Sequence, residues 1–575
     1  MLNRLLGQYR RYLTNYESAL AYALLGVVGG VASGLVVIAF EVSIRQLASL
    51  WGVGDGGDAF EALPQWLLFA LPAGGGVLLG LAFWALKPED REVGIVHVLS
   101  RMHSHYGVLP LRNALVQFVG GAFALATGQS GGREGPGVHL GGAVNSLIGQ
   151  RLGLPNNSLR VLIACGTAGG IAAAFNTPLA GVIFAMEVIV AEYTVAGFIP
   201  VILAAVSASA VSRYLAGGAA VFAMPPVHLN TLWEIPYIVL LGICCGVAIA
   251  LFIYISKLAA RLSTWHVTVR FAMAGTLTGA MAMLVPEILG IGYDTLELAL
   301  AGQLGLVLLL TIAAGKLVAT AFSAGVGLPI GVIGPSLLIG ACLGGALGQA
   351  GSLVLPEHAS QPVLYIVIGM AAAMGAMLSA PLAAILAVIE LTQTVSVVMP
   401  ALLAVVAANL TNTGVFRQRS AHQTVLRQLQ RAAPDDPLNQ LLHRTNVTSN
   451  MEVNVVKVSV KLDASSTLPL INATPTWCVV KRDAEDLYLI RGKDLAEWLQ
   501  NNPVTDEAAD LTEVGIRRWS IAQVPEQATL RQAMDTLRNR TAEAVCVYGR
   551  DAGGQRVLQG IVTRESIEQF TLSRL

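Results

Sequence analysis

Residues Gly128–Gly137 read "GQSGGREGPG": five glycines, one proline and an Arg133–Glu134 pair, set directly ahead of an apolar segment. The pattern recurs. Gly132–Gln150, "GREGPGVHLGGAVNSLIGQ", aligns without a gap on Gly331–Gln349, "GVIGPSLLIGACLGGALGQ". The two share G-x-x-G-P, then Gly141/Gly340, Gly149/Gly348 and Gln150/Gln349. Further on, "GTAGGIAAAFNTPLAGVIFAME" (Gly166–Glu187) aligns on "GMAAAMGAMLSAPLAAILAVIE" (Gly369–Glu390). Two collinear matches, each with a fixed proline, identify a duplicated unit, as in many transporters. The alignment leaves open whether the copies are inverted.

Each copy sets glycines before a proline that opens an apolar helix. Proline suits the first helical turn, and glycines let the preceding backbone fold sharply. Such a start exposes unpaired amide N–H groups at the positive end of the helix dipole. Inside a membrane those donors need a partner, and an anion is a natural one. Two starts, one per copy, can converge on a single anion without burying a full positive charge that would trap it. Glu134 sits among the same amides, and its carboxylate is itself an anion. Ionised, it fills the site; protonated, it loses its attraction to the amides and swings away. The expected role of Glu134 is gate and proton acceptor. For Arg133 two readings stand, added positive potential or pairing with a nearby acid.

The rest of the chain fits a membrane setting. It has 575 residues, 54% hydrophobic and 13% charged, with zero formal net charge and a mean hydropathy of +0.63. A soluble domain carries about a quarter charged residues. Between Gly135 and Ile255 the charged residues are Arg151, Arg160, Glu187, Glu192, Arg213 and Glu234, and from Ala301 to Ile389 they are Lys316 and Glu357. Such sparsity predicts an all-α, polytopic membrane protein. Ser158–Ala174 and Gln361–Met377 are short and rich in Gly and Ala, which predicts re-entrant or discontinuous helices around mid-membrane. Arg4, Arg10 and Arg11 precede the first apolar run, Ala19–Ala39, and no cleavable signal peptide is apparent. The amino terminus is therefore expected on the cytoplasmic side of the inner (plasma) membrane. The six cysteines show no metal-ligand spacing, and the four in apolar segments read as small buried hydrophobes. The apolar part shows no His/Cys/acid cluster or nucleophile–base set, so neither an embedded enzyme nor a metal is expected, and no nucleic-acid partner.

After "TNTGVFRQRS" (Thr411–Ser420) charges appear every few residues. Residues 1–412 are read as the membrane domain. Residues 413–445 are a charged connector with a helix in "SAHQTVLRQLQRAA" (Ser420–Ala433), and 446–575 are a soluble domain. The arginines of the connector predict a cytoplasmic carboxy terminus.

The membrane motifs resemble those of the CLC family of chloride channels and chloride/proton exchangers. "GREGP" at Gly132–Pro136 matches the family's central motif residue for residue, and "GVIGP" at Gly331–Pro335 matches G-x-F-x-P with Ile333 in place of Phe. "PLAGVIFAME" and "PLAAILAVIE" also fit. The resemblance implies inverted repeats and a homodimer with one pore per subunit. It implies anion contact by the backbone around Gly132, Arg133, Glu134 and Gly135, by the amides of Val332 and Ile333, and at the early motif that retains Gly94 and Ile95. Glu134 becomes the extracellular gate.

Three positions depart from the pattern. "EVGIV" (Glu92–Val96) puts Val93 where the family has an anion-coordinating Ser. His422 stands where a Tyr hydroxyl faces the central ion, and two readings stand: a replacement donor titrating near neutrality, or a surface residue of the connector. Val188 follows Glu187 where exchangers often carry a second acid, the inner proton site; Glu192 lies one turn beyond. For Glu187 and Glu390 the favoured reading is hydrogen bonding to a helix end. The retained Pro136 argues against fluoride.

The tail resembles a pair of CBS modules, Met451–Gln500 and Gln527–Phe570. Such pairs often bind adenine nucleotides, and Thr563 and Asp494 are the candidates here, with Ser566 where an Asp is usual. The competing reading is a dimerisation scaffold. The expected function is transport of small monovalent anions, chloride foremost, by proton-coupled antiport. A passive voltage- or pH-gated channel is the alternative raised by Val188. A non-conducting sensor read through the tail is a second.

Overall fold

Long stretches without charge leave the α-helix as the way to satisfy every backbone N–H and C=O in apolar surroundings. A computed structural model describes residues 19–54, 58–191, 195–217, 222, 227–354, 360–428, 437–463, 474–482, 485–502, 508–550 and 555–574. The chain divides into a unit of Ala19–Arg151 with Leu159–Ala433, and a second that takes in Leu152–Ser158 and the chain from Pro434.

The first half of the membrane unit runs α1 (Ala19–Ser49), α2 (Gln65–Trp84), α3 (Gly94–Ser104), α4 (Leu111–Ala126), α5 (Glu134–Arg151), α6 (Asn156–Phe175), α7 (Pro178–Phe184) and α8 (Val195–Ala216). The second runs α9 (Ile235–Ala260), α10 (Val267–Ala282), α11 (Tyr293–Leu300), α12 (Leu306–Gly325), α13 (Ile333–Val354), α14 (Pro362–Leu378), α15 (Pro381–Thr392) and α16 (Val398–Leu410), and α17 (Ala421–Gln428) follows. Among the described residues, eight helices are long and apolar enough to cross a membrane.

Equivalent helices fall eight apart, and several packing pairs recur when the copies are exchanged. α1 packs along α8 as α9 packs along α16, while α2 lies against its own equivalent α10, and α7 against α15. The matched glycines do matched work. A Cβ on Gly141 would lie 2.2 Å from Gly166 O, and one on Gly340 2.1 Å from Gly369 O. In both copies glycine lets the motif helix touch the next helix backbone to backbone. The short Gly/Ala-rich helices are enclosed by protein: every residue of α14 from Leu364 to Leu378 is buried. Five of the six cysteines are buried as well.

The expected boundary after residue 412 shifts. α16 runs on through a π-helical turn, Thr411–Val415, and α17 packs on α3, α9 and α14, burying His422, Thr424 and Leu426. The first part of the supposed connector therefore belongs to the membrane unit, because an amphipathic turn of helix follows the arginines and buries its apolar side. Residues 429–436, including the end of the expected connector helix, lie outside the described residues.

The tail repeats one small topology. β1 (Val455–Ser459) pairs parallel with β2 (Trp477–Arg482), which pairs antiparallel with β3 (Glu485–Arg491), ahead of a helix at Gly492–Asn501. Likewise β4 (Ile521–Pro525) pairs parallel with β5 (Ala544–Arg550), and β5 antiparallel with β6 (Arg556–Thr563). Helices flank this second sheet at Leu530–Asn539 and Arg564–Arg574. The two sheets share one apolar cluster, in which Trp477, Leu489, Trp519, Cys546 and Ile561 meet.

Candidate anion site and its gate

The two motif segments meet. Gly132 N donates to Gly331 O and Gly331 N to Gly132 O, each at 2.8 Å, an antiparallel bridge that sets the starts of α5 and α13 side by side. Glycine is required for the approach, since a Cβ on Gly135 would lie 2.7 Å from Gly331 Cα. Glu134, the first residue of α5, is fully buried there. Its Oε2 accepts from Gly334 N at 3.1 Å, so an amide in the first turn of the opposite copy's helix holds the acid. Sequence reasoning named Val332 and Ile333; the amide that takes the carboxylate belongs to the next residue.

The other carboxylate oxygen, Oε1, accepts from the hydroxyl of Tyr293. Sequence reasoning did not single out Tyr293. Its mount is elaborate. Asp58 accepts from Ile291 N at 2.7 Å, Gly292 N at 2.7 Å and Tyr293 N at 2.8 Å. From the other side, buried Lys316 donates to Ile288 O at 3.0 Å and Gly290 O at 2.8 Å. A carboxylate on amides and an ammonium on carbonyls thus fix one loop, and each buried charge finds hydrogen-bonding partners. Gly290 (φ 55°) and Gly292 (φ 84°) supply the left-handed backbone the loop needs. The Tyr293 ring stacks on Phe175 at 6.2 Å and meets Phe222 edge-on at 5.5 Å.

Arg133 takes the pairing role of its two readings. Its guanidinium forms an ion pair with Glu41 on α1, donates to Ala174 O at 3.1 Å and lies 5.2 Å from the Tyr293 ring centroid. It lends positive potential, but its directed bonds go to the protein rather than to a guest.

The early motif is arranged differently from the expectation. Val93 caps α3 with no side-chain bond. Gly94 (φ 76°) opens the helix, and its N–H donates to Gln117 Oε1 at 2.7 Å, while Gln117 Nε2 donates to Pro329 O at 3.0 Å. The Gly94 amide is therefore occupied by a carboxamide from α4, which corrects its assignment as an anion donor. Ile95 is buried beside it.

His422 is buried, which overturns the surface reading. Burial also pushes its imidazolium down to about 4, so the ring is neutral at physiological pH and does not titrate near neutrality. Its Nδ1 has no hydrogen-bond partner among the described residues.

Glu187 and Glu390 do what was expected of them. Glu187 accepts from Ala383 N at 2.9 Å at the start of α15, and Glu390 from Ala180 N at 2.8 Å and Leu179 N at 3.1 Å at the start of α7. Val188 lies in a π-helical turn, Ala185–Val190, packed against apolar neighbours. Glu192 lies outside the described residues. In the tail, Thr563 Oγ1 accepts from Ser566 N at 3.1 Å and Ser566 Oγ donates to Thr563 O at 2.8 Å, closing the start of the last helix. Asp494 sits in the first turn of the Gly492–Asn501 helix.

A family model described as "Voltage gated chloride channel" matches residues 75–413, more than half of the chain. A ClcB-like chloride channel protein of Ralstonia nicotianae is 34% identical over 399 residues, 68% of this chain and 92% of that protein. An H(+)/Cl(-) exchange transporter, ClcA, of Vibrio cholerae is 30% identical over 446 residues, 76% of this chain and 92% of that one. Among solved structures, a slow cyanobacterial Cl-/H+ antiporter matches with a TM-score of 0.61 at 24% identity, covering 72% of this chain and 99% of the other. A eukaryotic CLC transporter matches with a TM-score of 0.60 at 20% identity, covering 95% and 97%. These two are likenesses of fold.

Proposed function

The chain belongs to the voltage gated chloride channel family, and from that premise we propose that it is a multi-pass membrane transporter exchanging chloride, or a similar small anion, for protons, with Glu134 as the gate. One observation carries the reading. The Glu134 carboxylate lies on the Gly334 amide, where two duplicated helix starts meet. A carboxylate held by a main-chain amide at a helix start marks a berth that suits another monovalent anion. Protonation removes the charge that this donor favours, so proton uptake and anion entry use one place in turn. The kinship with a named exchange transporter supports coupling.

The test is simultaneous measurement of chloride and proton movement in liposomes. Wild type is expected to move protons uphill, driven by an imposed chloride gradient. Glu134→Gln is expected to keep chloride flux and lose proton movement and pH dependence. Retained uphill proton movement in the variant contradicts the proposal. Val188 favours a second reading, passive conduction, because it stands where exchangers often carry the inner acid; chloride flux without uphill proton movement in wild type selects it.

We extend the proposal to a homodimer in the inner membrane with both termini cytoplasmic, and to a tail built as a CBS pair. The repeated strand order of the two small sheets supports the pair. An adenine nucleotide would contact Thr563 and Asp494; the Thr563 hydroxyl already bonds Ser566 N, so binding requires that contact to be exchanged.

A further inference from the structure

On the anion-gate reading above, we propose that Tyr293 is the positioning residue that holds Glu134 in its closed place and sets the pH at which the gate leaves. The phenol donates to one carboxylate oxygen while Gly334 N donates to the other. Each carboxylate oxygen thus has its own donor, one from a side chain and one from the main chain. The adjacent cation, Arg133, directs its bonds to Glu41 and Ala174 O, so among the described residues the Tyr293 hydroxyl is the side-chain donor to the acid. The ring itself is fixed. Phe175, Phe222 and the Arg133 guanidinium pack around it, and Asp58 fixes its N–H. When the gate opens, the carboxylate moves and the tyrosine stays.

The charged and titratable groups around the gate come from several elements. Besides Tyr293 itself, they are Arg133 just ahead of α5, His139 on α5, Glu41 on α1, Asp58 ahead of α2, Asp294 on α11, and Lys316 on α12. α13 offers amides and no charged side chain. All of these charges survive removal of one phenolic hydroxyl, so a change in the pH profile reports that hydroxyl.

The experiment measures chloride efflux against pH for the full-length protein in liposomes, as wild type, Tyr293→Phe, and 3-fluorotyrosine introduced at position 293. Efflux rises as the gate protonates. Losing a donor to the carboxylate makes protonation easier, so Tyr293→Phe is expected to move the midpoint alkaline by about one pH unit, the size of one hydrogen bond to a charged group. Fluorotyrosine, a stronger donor of nearly the same shape, is expected to move it the other way, and it serves if the Phe variant fails to fold. In a Glu134→Gln background, Tyr293→Phe is expected to add nothing. Unchanged midpoints at position 293 overturn this proposal while the gate reading stands. A shift that persists without the Glu134 carboxylate also overturns it. Wild-type efflux that ignores both pH and Glu134→Gln overturns the gate reading and this inference together.

Discussion

Around Glu134 the chain works with main-chain amides, one phenol and missing side chains, and engages its arginine elsewhere. That choice follows from charge. A free buried guanidinium would bind an anion too tightly to release it, whereas amide dipoles attract without a full charge. The missing side chains matter as much. Gly135→Ala would drive a Cβ to 2.7 Å from Gly331 Cα, and the backbone cannot yield without breaking the Gly132–Gly331 bridge. The expected cost is about 1–3 kcal/mol, read as a lower thermal midpoint in detergent with loss of efflux. Gly305→Ala, where a Cβ meets nothing within 4 Å, is the control and should leave both unchanged. Glu134 was legible because it stands inside a duplicated motif. Tyr293 was not, because its contact joins residues 159 positions apart, and "GIGYD" taken alone reads as a turn before a short helix. Gln117 was hidden for the same reason: nothing local marks an amide side chain on α4 as the partner of Gly94.

At the scale of elements, the copies hold each other by their helix ends. Glu187 of the first copy accepts from the start of α15 in the second, and Glu390 of the second from the start of α7 in the first. A carboxylate at a helix N-terminus satisfies orphan N–H groups and complements the dipole. Glu187→Ala should therefore cost about 0.5–2 kcal/mol, the range for a lost cap, lowering the thermal midpoint while proton coupling persists. Loss of coupling with an unchanged midpoint would instead make Glu187 a proton carrier. The role of these acids could be read from sequence, since each follows a proline-led helix in a repeated pattern. The end of the membrane unit could not. Arg417 and Arg419 mark a turn rather than an exit, and α17 returns to bury His422 and Leu426 against the bundle.

At the scale of the molecule, among the described residues of the membrane unit, eight helices are followed by eight equivalents, and α2 packs on its own equivalent α10 as α7 does on α15. The alignment of Gly132 with Gly331 already implied equivalence. It carried no orientation, because matching residues says nothing of how two copies face; the antiparallel Gly132–Gly331 bridge supplies that locally. The two-fold repeat of the tail was expected from resemblance alone, and its shared Trp477–Trp519 core was not legible. The central claim is that Glu134 and the transported anion compete for one place between α5 and α13. The most direct measurement is anomalous diffraction from bromide-soaked crystals of wild type and Glu134→Gln, grown above neutral pH. The account predicts bromide within hydrogen-bonding distance of Gly334 N in the variant and none there in wild type. Bromide on Gly334 N in wild type with Glu134 still bound to that amide, or a variant whose anion lies elsewhere, would contradict it.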